Sequence, residues 1–424
     1  MVRQIHPRAL CKTPFYRYHM RFSLHANIYF LYMIKLSKWF MLIMPVVALF
    51  YNANGLDDFD IYLLQAVYSL GVACMEIPSG YMADMIGRRT SLILGALLGT
   101  LGFVLYSVSS TFGHFLIAEI VLGLGASFIS GSDSALLYDS LAETGDQHQY
   151  LQYEGRITAL GNLAETTAAV CGGLIAAIIS YRAVYVTQAC IAAIAIPASL
   201  LLVEPKRIKP AMKPSMQQVL RICHQSLFID LKLSAAIVLS SVIGTATLCM
   251  AWTCQVYFVQ KGLDEAAITP IWVILNLTVA IVSAYSQRVI SILGYSKAII
   301  LIVIMIPISY VLLGSTSLLF GLASLMVFYC IRGYATPLLK DLTNMYCDSA
   351  IRATVLSIRS LLIRLGFAAL GPLIGLGSRH ASLSVSLICT GTLLLISAVI
   401  AALFLKAQAP EIYSMQQDRK GHCG

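Results

Sequence analysis

The sequence predicts an all-α membrane protein of about twelve transmembrane helices in two related six-helix halves. Three observations predict it: too few charges for a water-facing surface, apolar blocks of membrane-crossing length, and one basic break midway that separates repeated short motifs. Of 424 residues, 58% are hydrophobic and 12% are charged, about half the ~25% charged share of a soluble domain. A block of roughly 18 or more apolar residues crosses a hydrocarbon core about 30 Å thick. Within that core the backbone must satisfy its own hydrogen bonds. Blocks this long and evenly apolar do not alternate as barrel strands do, which leaves helices.

In chain order the expected spans are 27–52, 61–83, 90–108, 113–137, 156–179 and 183–203, then 234–259, 268–287, 297–314, 317–338, 353–376 and 382–405. Short turns such as Ser110-Thr111-Phe112-Gly113 and Gly314-Ser315-Thr316-Ser317 join neighbours, so consecutive helices run antiparallel and pack side by side. This gives a basic tail (1–26), a first bundle (27–203), a linker (204–233), a second bundle (234–405) and a final tail (406–424). In the linker Pro205, Pro210 and Pro214 cluster with basic residues, and Ser215 and Gln218 have capping-box spacing. Met216, Val219, Leu220, Cys223 and Leu227 then share one helical face, as in an amphipathic helix on the membrane surface, the alternative being a solvated linker.

Loops rich in Lys and Arg stay in the cytoplasm. The first tail holds Arg3, Arg8, Lys12, Arg17 and Arg21, and later loops on the same side hold Arg88, Arg89, Lys206, Arg207, Lys297, Lys340 and Arg352; the opposite side has Arg182, Lys261 and Arg379. Both termini are therefore expected inside. The formal charge of +9 reads as a membrane face against anionic lipid, and no nucleic-acid partner is needed to explain it. Eleven cysteines show neither C-x-x-C nor His-paired spacing, so they read as core residues, with no metal or other cofactor expected. No removable signal peptide is expected; the first span does the targeting.

A repeat supports the division. Ala135-Leu136-Leu137-Tyr138-Asp139 follows the fourth span as Pro337-Leu338-Leu339-Lys340-Asp341 follows the tenth, and Arg156-Ile157-Thr158-Ala159-Leu160 opens the fifth as Arg352-Ala353-Thr354-Val355-Leu356 opens the eleventh. Between the second and third spans, Gly80-Tyr81-Met82-Ala83-Asp84-Met85-Ile86-Gly87-Arg88-Arg89 resembles the signature loop of the major facilitator superfamily, G-x-x-x-D-x-x-G-R-[RK]. With the helix count and inward termini, the resemblance covers nearly the whole chain. Glu76-Ile77-Pro78-Ser79-Gly80, Ser130-Gly131-Ser132 and Leu137-Tyr138-Asp139-Ser140-Leu141 resemble a poorly characterised bacterial branch. The resemblance implies the major facilitator fold, a multi-pass place in the bacterial cytoplasmic membrane, and secondary transport of a small solute by one chain acting as a monomer. The chain also departs from the pattern. Glu119 stands where the fourth helix often has arginine, and Thr167-Ala168 replaces the Gly-Pro of drug antiporters, which argues against drug:proton antiport. The second copy of the signature loop keeps Gly294 and little else.

Gly80 and Gly87 permit close approach and a tight turn, while Arg88 and Arg89 reach for carboxylates, with Asp133 a candidate partner. Asp84 is expected to face the start of the eleventh helix near Ser349 to Arg352, so that the loop latches the halves at the cytoplasmic side. The alternative is that the arginines only fix topology. Ionisable groups within spans cost at least ~2.5–3.5 kcal/mol and line cavities or pair. They are Lys35, Lys38, Glu76, Glu119, Glu165, Arg332, Arg359 and Arg364. Lys35 and Glu76 lie at similar depth and suit a pair; Lys35 and Arg332 together predict an anionic or zwitterionic solute. Burial out of water favours a carboxyl's neutral form, so Glu119 or Glu165 can carry a coupling proton. Trp252, Gln255 and Asn276 suit a cavity wall, against the alternative of a lipid-interface belt. No phosphate cradle or nucleophile-base set stands out, so the reading is a transporter and no enzyme, the alternative being a receptor or scaffold of the same fold.

Overall fold

Apolar runs of this length fold as helices, and the computed structural model describes residues 14–146, 149–205, 216–315, 317–347 and 351–414, which are helical throughout apart from turns. The first group comprises α1 (Pro14–Trp39), α2 (Val47–Ala53), α3 (Asp58–Ile86), α4 (Arg88–Val108), α5 (Phe112–Ile129), α6 (Ser132–Thr144), α7 (Tyr150–Ile178), α8 (Tyr181–Ala193) and α9 (Ala195–Leu201). The short α10 (Met216–His224) follows the linker and runs through one π-helical turn into the second group. That group is α11 (Leu231–Gln260), α12 (Glu265–Ala284), α13 (Ser286–Leu293), α14 (Tyr295–Ser315), α15 (Leu318–Met345), α16 (Arg352–His380) and α17 (Leu383–Gln408), with α18 (Glu411–Ser414) at the end. Among the described residues, nine helices are long and apolar enough to cross a membrane. The other expected spans correspond to α1–α2, α3 and α7, where breaks or charges interrupt the apolar run.

Helix starts follow their capping residues. Asp57 caps α3 in a reciprocal box with Asp60, and Asp230 and Asp264 cap α11 and α12. The expected first span departs from a single helix: 40–46 leaves the helical path between α1 and α2. Pro45 has no N–H to continue the ladder. The freed groups are met from outside: Leu42 N–H donates to Gln188 Oε1 (2.8 Å) and Met44 C=O accepts from Gln255 Nε2 (2.9 Å). A Cβ at Gly172 on α7 would lie 1.9 Å from Leu42 O, so only glycine admits this bent segment.

The repeat reappears as geometry. Gly87, between α3 and α4, has φ +103°, and Gly294, between α13 and α14, has φ +77°, both in the region that favours glycine. The residue after each glycine reaches the paired aspartate of the repeat: Arg88 ion-pairs with Asp139, and Tyr295 Oη lies 3.4 Å from Asp341. The turn survives in the second copy although its arginine has become tyrosine.

The two groups meet along α3 and α16, along α7 and α12, and where α2 touches α11. Small residues bring α3 and α16 together: a Cβ at Gly375 would sit 2.7 Å from Phe59 Cα.

Candidate functional site

Hydrogen bonds and ion pairs that join described residues of the two groups gather at one end of the molecule, named here the Arg379 end. Arg379 bonds Asp57 (Nε to Oδ2, 2.5 Å) and lies 3.8 Å from Asp60. Asp58 accepts from Ser378 Oγ (2.6 Å) and Gln260 Nε2 (2.5 Å), Tyr181 donates to Glu265 (2.7 Å), and Tyr62 bonds Thr253 (2.8 Å).

At the opposite, Arg88 end the polar contacts among the described residues stay within the first group. Arg88 reaches Asp139 and the Ala135 carbonyl (2.5 Å), and the Arg88 and Arg89 N–H groups donate to Glu204 (2.9 and 2.7 Å). Glu204 thus holds the start of α4, where a carboxylate meets both free N–H groups and the positive end of the helix. Arg88 does not meet Asp133. Lys35 takes Glu154 at 2.9 Å and Asp133 at 3.6 Å, so the expected Lys35–Glu76 pair is not formed either. The cause is reach across the bundle: α7 and α6 face α1 here, and residue counting gives depth but no azimuth. The Asp84 side chain and residues 348–350 lie outside those described, and Gly80 has open space around its Cα.

Between these ends, opposite charges of the two groups lie within electrostatic range of one another, without an ion-pair contact among the described residues. Arg364 on α16 acts on Glu76 of α3, and Arg332 on α15 acts on Glu165 of α7. Arg332 also stacks over Tyr329 at 5.3 Å, and Arg359 donates to Ser240. Lys38 of α1 feels Asp133 and Arg364 yet ion-pairs with neither.

A cavity of about 230 Å³ lies within the first group, beside the α1–α2 break. Glu119 is 3% exposed at its wall, where its Oε1 accepts from Tyr106 (2.5 Å), Tyr51 (3.1 Å) and Gln65. Behind it, Tyr106 stacks on Tyr185 with ring centres 5.2 Å apart, closing that side. Trp252 is the one described lining residue from the second group. Gln255 instead serves the α1–α2 break, and Asn276 bonds the Trp272 carbonyl of its own helix (3.0 Å).

Sequence reasoning missed Tyr51, Gln65, Tyr106 and Glu154 here, and Asp57, Asp58 and Ser378 at the sealed end. Gln65 offered a signal, as a polar residue inside an apolar run; Arg379 and the aspartates looked like ordinary loop charges.

A bundle of membrane-crossing helices in two groups defines a polytopic membrane protein. Residues 28–351 match the Major Facilitator Superfamily, and the chain belongs to that family of secondary transporters. It is 27% identical over 139 residues to the multidrug resistance protein Stp of Mycobacterium tuberculosis (strain CDC 1551 / Oshkosh), covering 33% of this chain and 25% of Stp. It is 22% identical over 187 residues to the quinolone resistance protein NorA of Staphylococcus aureus (strain Mu50 / ATCC 700699), covering 44% of this chain and 46% of NorA. The chain thus spans less than half the length of either relative. Two solved structures share its fold: the nucleoside transporter NupG (TM-score 0.69, 13% identity, 91% of this chain and 99% of that one) and a D-xylose-proton symporter (TM-score 0.70, 16% identity, 92% and 99%). The expected fold class holds, as an all-helical, multi-pass membrane protein.

Proposed function

We propose that this chain moves a small anionic or zwitterionic solute, coupled to protons, by rocking residues 27–203 against 234–405 about a central path. The observation that carries this reading is the gathering of cross-group bonds at the Arg379 end, with unpaired opposed charges below it. A seam whose polar contacts among the described residues gather at one end suits one state of an alternating-access cycle. With both termini in the cytoplasm of a bacterial membrane, the Arg88 end faces inward and the state is inward-facing. Asp84, Gly80 and Gly87 then serve the opposite closure. No second protein chain is required.

The coupling acids are Glu119 and Glu165. Glu119 sits buried in a hydroxyl and amide cage, which holds the carboxyl in either protonation state, and Glu165 faces Arg332 across the groups. The name of the D-xylose-proton symporter supports proton use in this fold. The names of Stp and NorA point to drug resistance, which the Thr167-Ala168 departure argues against here. In proteoliposomes with an imposed pH gradient, wild type should accumulate solute and Glu119→Gln should only equilibrate it. If Glu119→Gln and Glu165→Gln both still accumulate solute, proton coupling through these acids is wrong.

A further inference from the structure

The cavity inside the first group lies beside the seam, with Trp252 of the second group in its wall, and both an acid, Glu119, and a base, Lys38, line it. All three donors to Glu119 fall on Oε1, which leaves Oε2 with no hydrogen-bond partner among the described residues. Glu119 lines the cavity, so the bare oxygen belongs to its wall. A carboxylate oxygen that faces a mostly apolar cavity without a protein donor is met by a ligand, a proton or water. Lys38 lines the same space with no ion pair among the described residues, because Lys35 takes Glu154 and Asp133. Between them the walls are apolar and aromatic, with Trp39, Tyr68, Phe103 and Trp252 among them.

We propose that this cavity binds a flat aromatic zwitterion, its ammonium held by Glu119 Oε2 and its carboxylate by Lys38. The ring fills the aromatic walls, whose faces favour both stacking and an attached cation. A volume of about 230 Å³ admits one ring with short substituents. The α1–α2 break forms part of the wall through Met41 and Met44, and Met44 is tied to Gln255 of the second group. Occupancy therefore presses on a joint between the groups. Taking the ligand as the transported solute rests on the transporter reading; the binding chemistry does not.

The chain has three tryptophans, and two of them, Trp39 and Trp252, line the cavity. Their fluorescence in purified protein reports binding without transport. Three probes separate the charges: 4-(aminomethyl)benzoate carries both, benzylamine only the ammonium, and benzoate only the carboxylate. Wild type should bind the first about tenfold or more tighter than either other, the worth of one charge-assisted bond. Glu119→Gln should bring 4-(aminomethyl)benzoate down to benzoate, and Lys38→Gln should bring it down to benzylamine. The order among probes on wild type stands even if a variant fails to fold. Equal binding of all three, no fluorescence change with folded wild type, or a folded Glu119→Gln that binds like wild type overturns the proposal. Binding without flux in proteoliposomes would keep the pocket and remove it from the transport path, whereas flux without binding would keep the transporter reading and remove the pocket.

Discussion

The two ends of the seam between the helix groups are built on opposite plans. At the Arg379 end, Asp57, Asp58 and Asp60 on one group meet Arg379, Ser378 and Gln260 on the other, so polar contacts cross the seam. At the Arg88 end, Arg88, Asp139 and Glu204 all belong to the first group, so the same kinds of contact brace one bundle internally. The crossing Arg379–Asp57 pair is half exposed, which suits a gate, whereas the bracing Arg88–Asp139 pair is more buried. Glycines follow the same division. Gly375 is pressed against Phe59 where the seam is closed, while a methyl group added at Gly80 would meet nothing within 4 Å.

The largest effect should come from filling these two glycines. Gly375→Leu forces side-chain atoms into the Phe59 backbone, an overpacking cost of about 1–3 kcal/mol, and should lower the melting temperature in detergent. It should also open the Arg379 end to iodide quenching of a fluorophore carried at position 253. Gly80→Leu should leave melting unchanged yet abolish flux, because the side chain obstructs closure of the other end. Equal melting of both variants would erase the contrast between the ends.

Removing the arginines sharpens the comparison at smaller cost. Arg88→Gln loses a partly buried ion pair and a carbonyl bond, about 1–3 kcal/mol, and should lower melting while leaving quenching at position 253 unchanged. Arg379→Gln removes a pair whose side chains are 43% exposed, worth ~0–1 kcal/mol. It should therefore leave melting nearly constant while raising quenching. If Arg88→Gln raises quenching as much as Arg379→Gln does, the bracing role given to Arg88 is wrong.

Much of this was legible in the chain and some was not, for reasons of geometry. Apolar run length located the helices because the bilayer fixes how long a span must be. The glycine turns at Gly87 and Gly294 were legible because only glycine suits their positive φ. Charged residues inside apolar runs were legible too, which is why Glu119, Lys35 and Arg332 were singled out. Azimuth was not: Lys35 turned to Glu154 and Asp133 instead of Glu76. The Asp57–Arg379 contact joins residues 322 apart, and nothing local marks either as a partner. The α1–α2 break hides because Pro45 alone allows a kink within a continuous helix; the carriers of the break are Gln188, Gln255 and Gly172 on three other helices.

The smallest effect concerns acidity at the Arg379 end, where the aspartates lie outside the expected apolar span and respond in opposite directions. Burial opposes ionisation of Asp57, but the Asp60 N–H and Arg379 outweigh it and hold its carboxyl below the usual range. Burial raises Asp58 despite its bonds from Ser378 and Gln260, and burial likewise raises Asp60. Under the proposed rocking, opening this end would hydrate all three and return them toward ordinary values. A raised carboxyl favours the sealed state when protonated, so the contribution of Asp58 and Asp60 grows as pH falls from neutral through their raised values. A depressed carboxyl favours the sealed state when ionised, so the contribution of Asp57 is lost only as pH falls through its lowered value. Quenching at position 253 should therefore decrease on mild acidification and rise again only in stronger acid. Asp58→Asn should flatten the first limb, since an amide already carries the neutral form. Asp57→Asn should raise quenching across the whole range, since the partner of Arg379 is gone. A monotonic rise in quenching from neutral pH downward would show that the ion pair alone governs this end and that Asp58 and Asp60 take no part in sealing it.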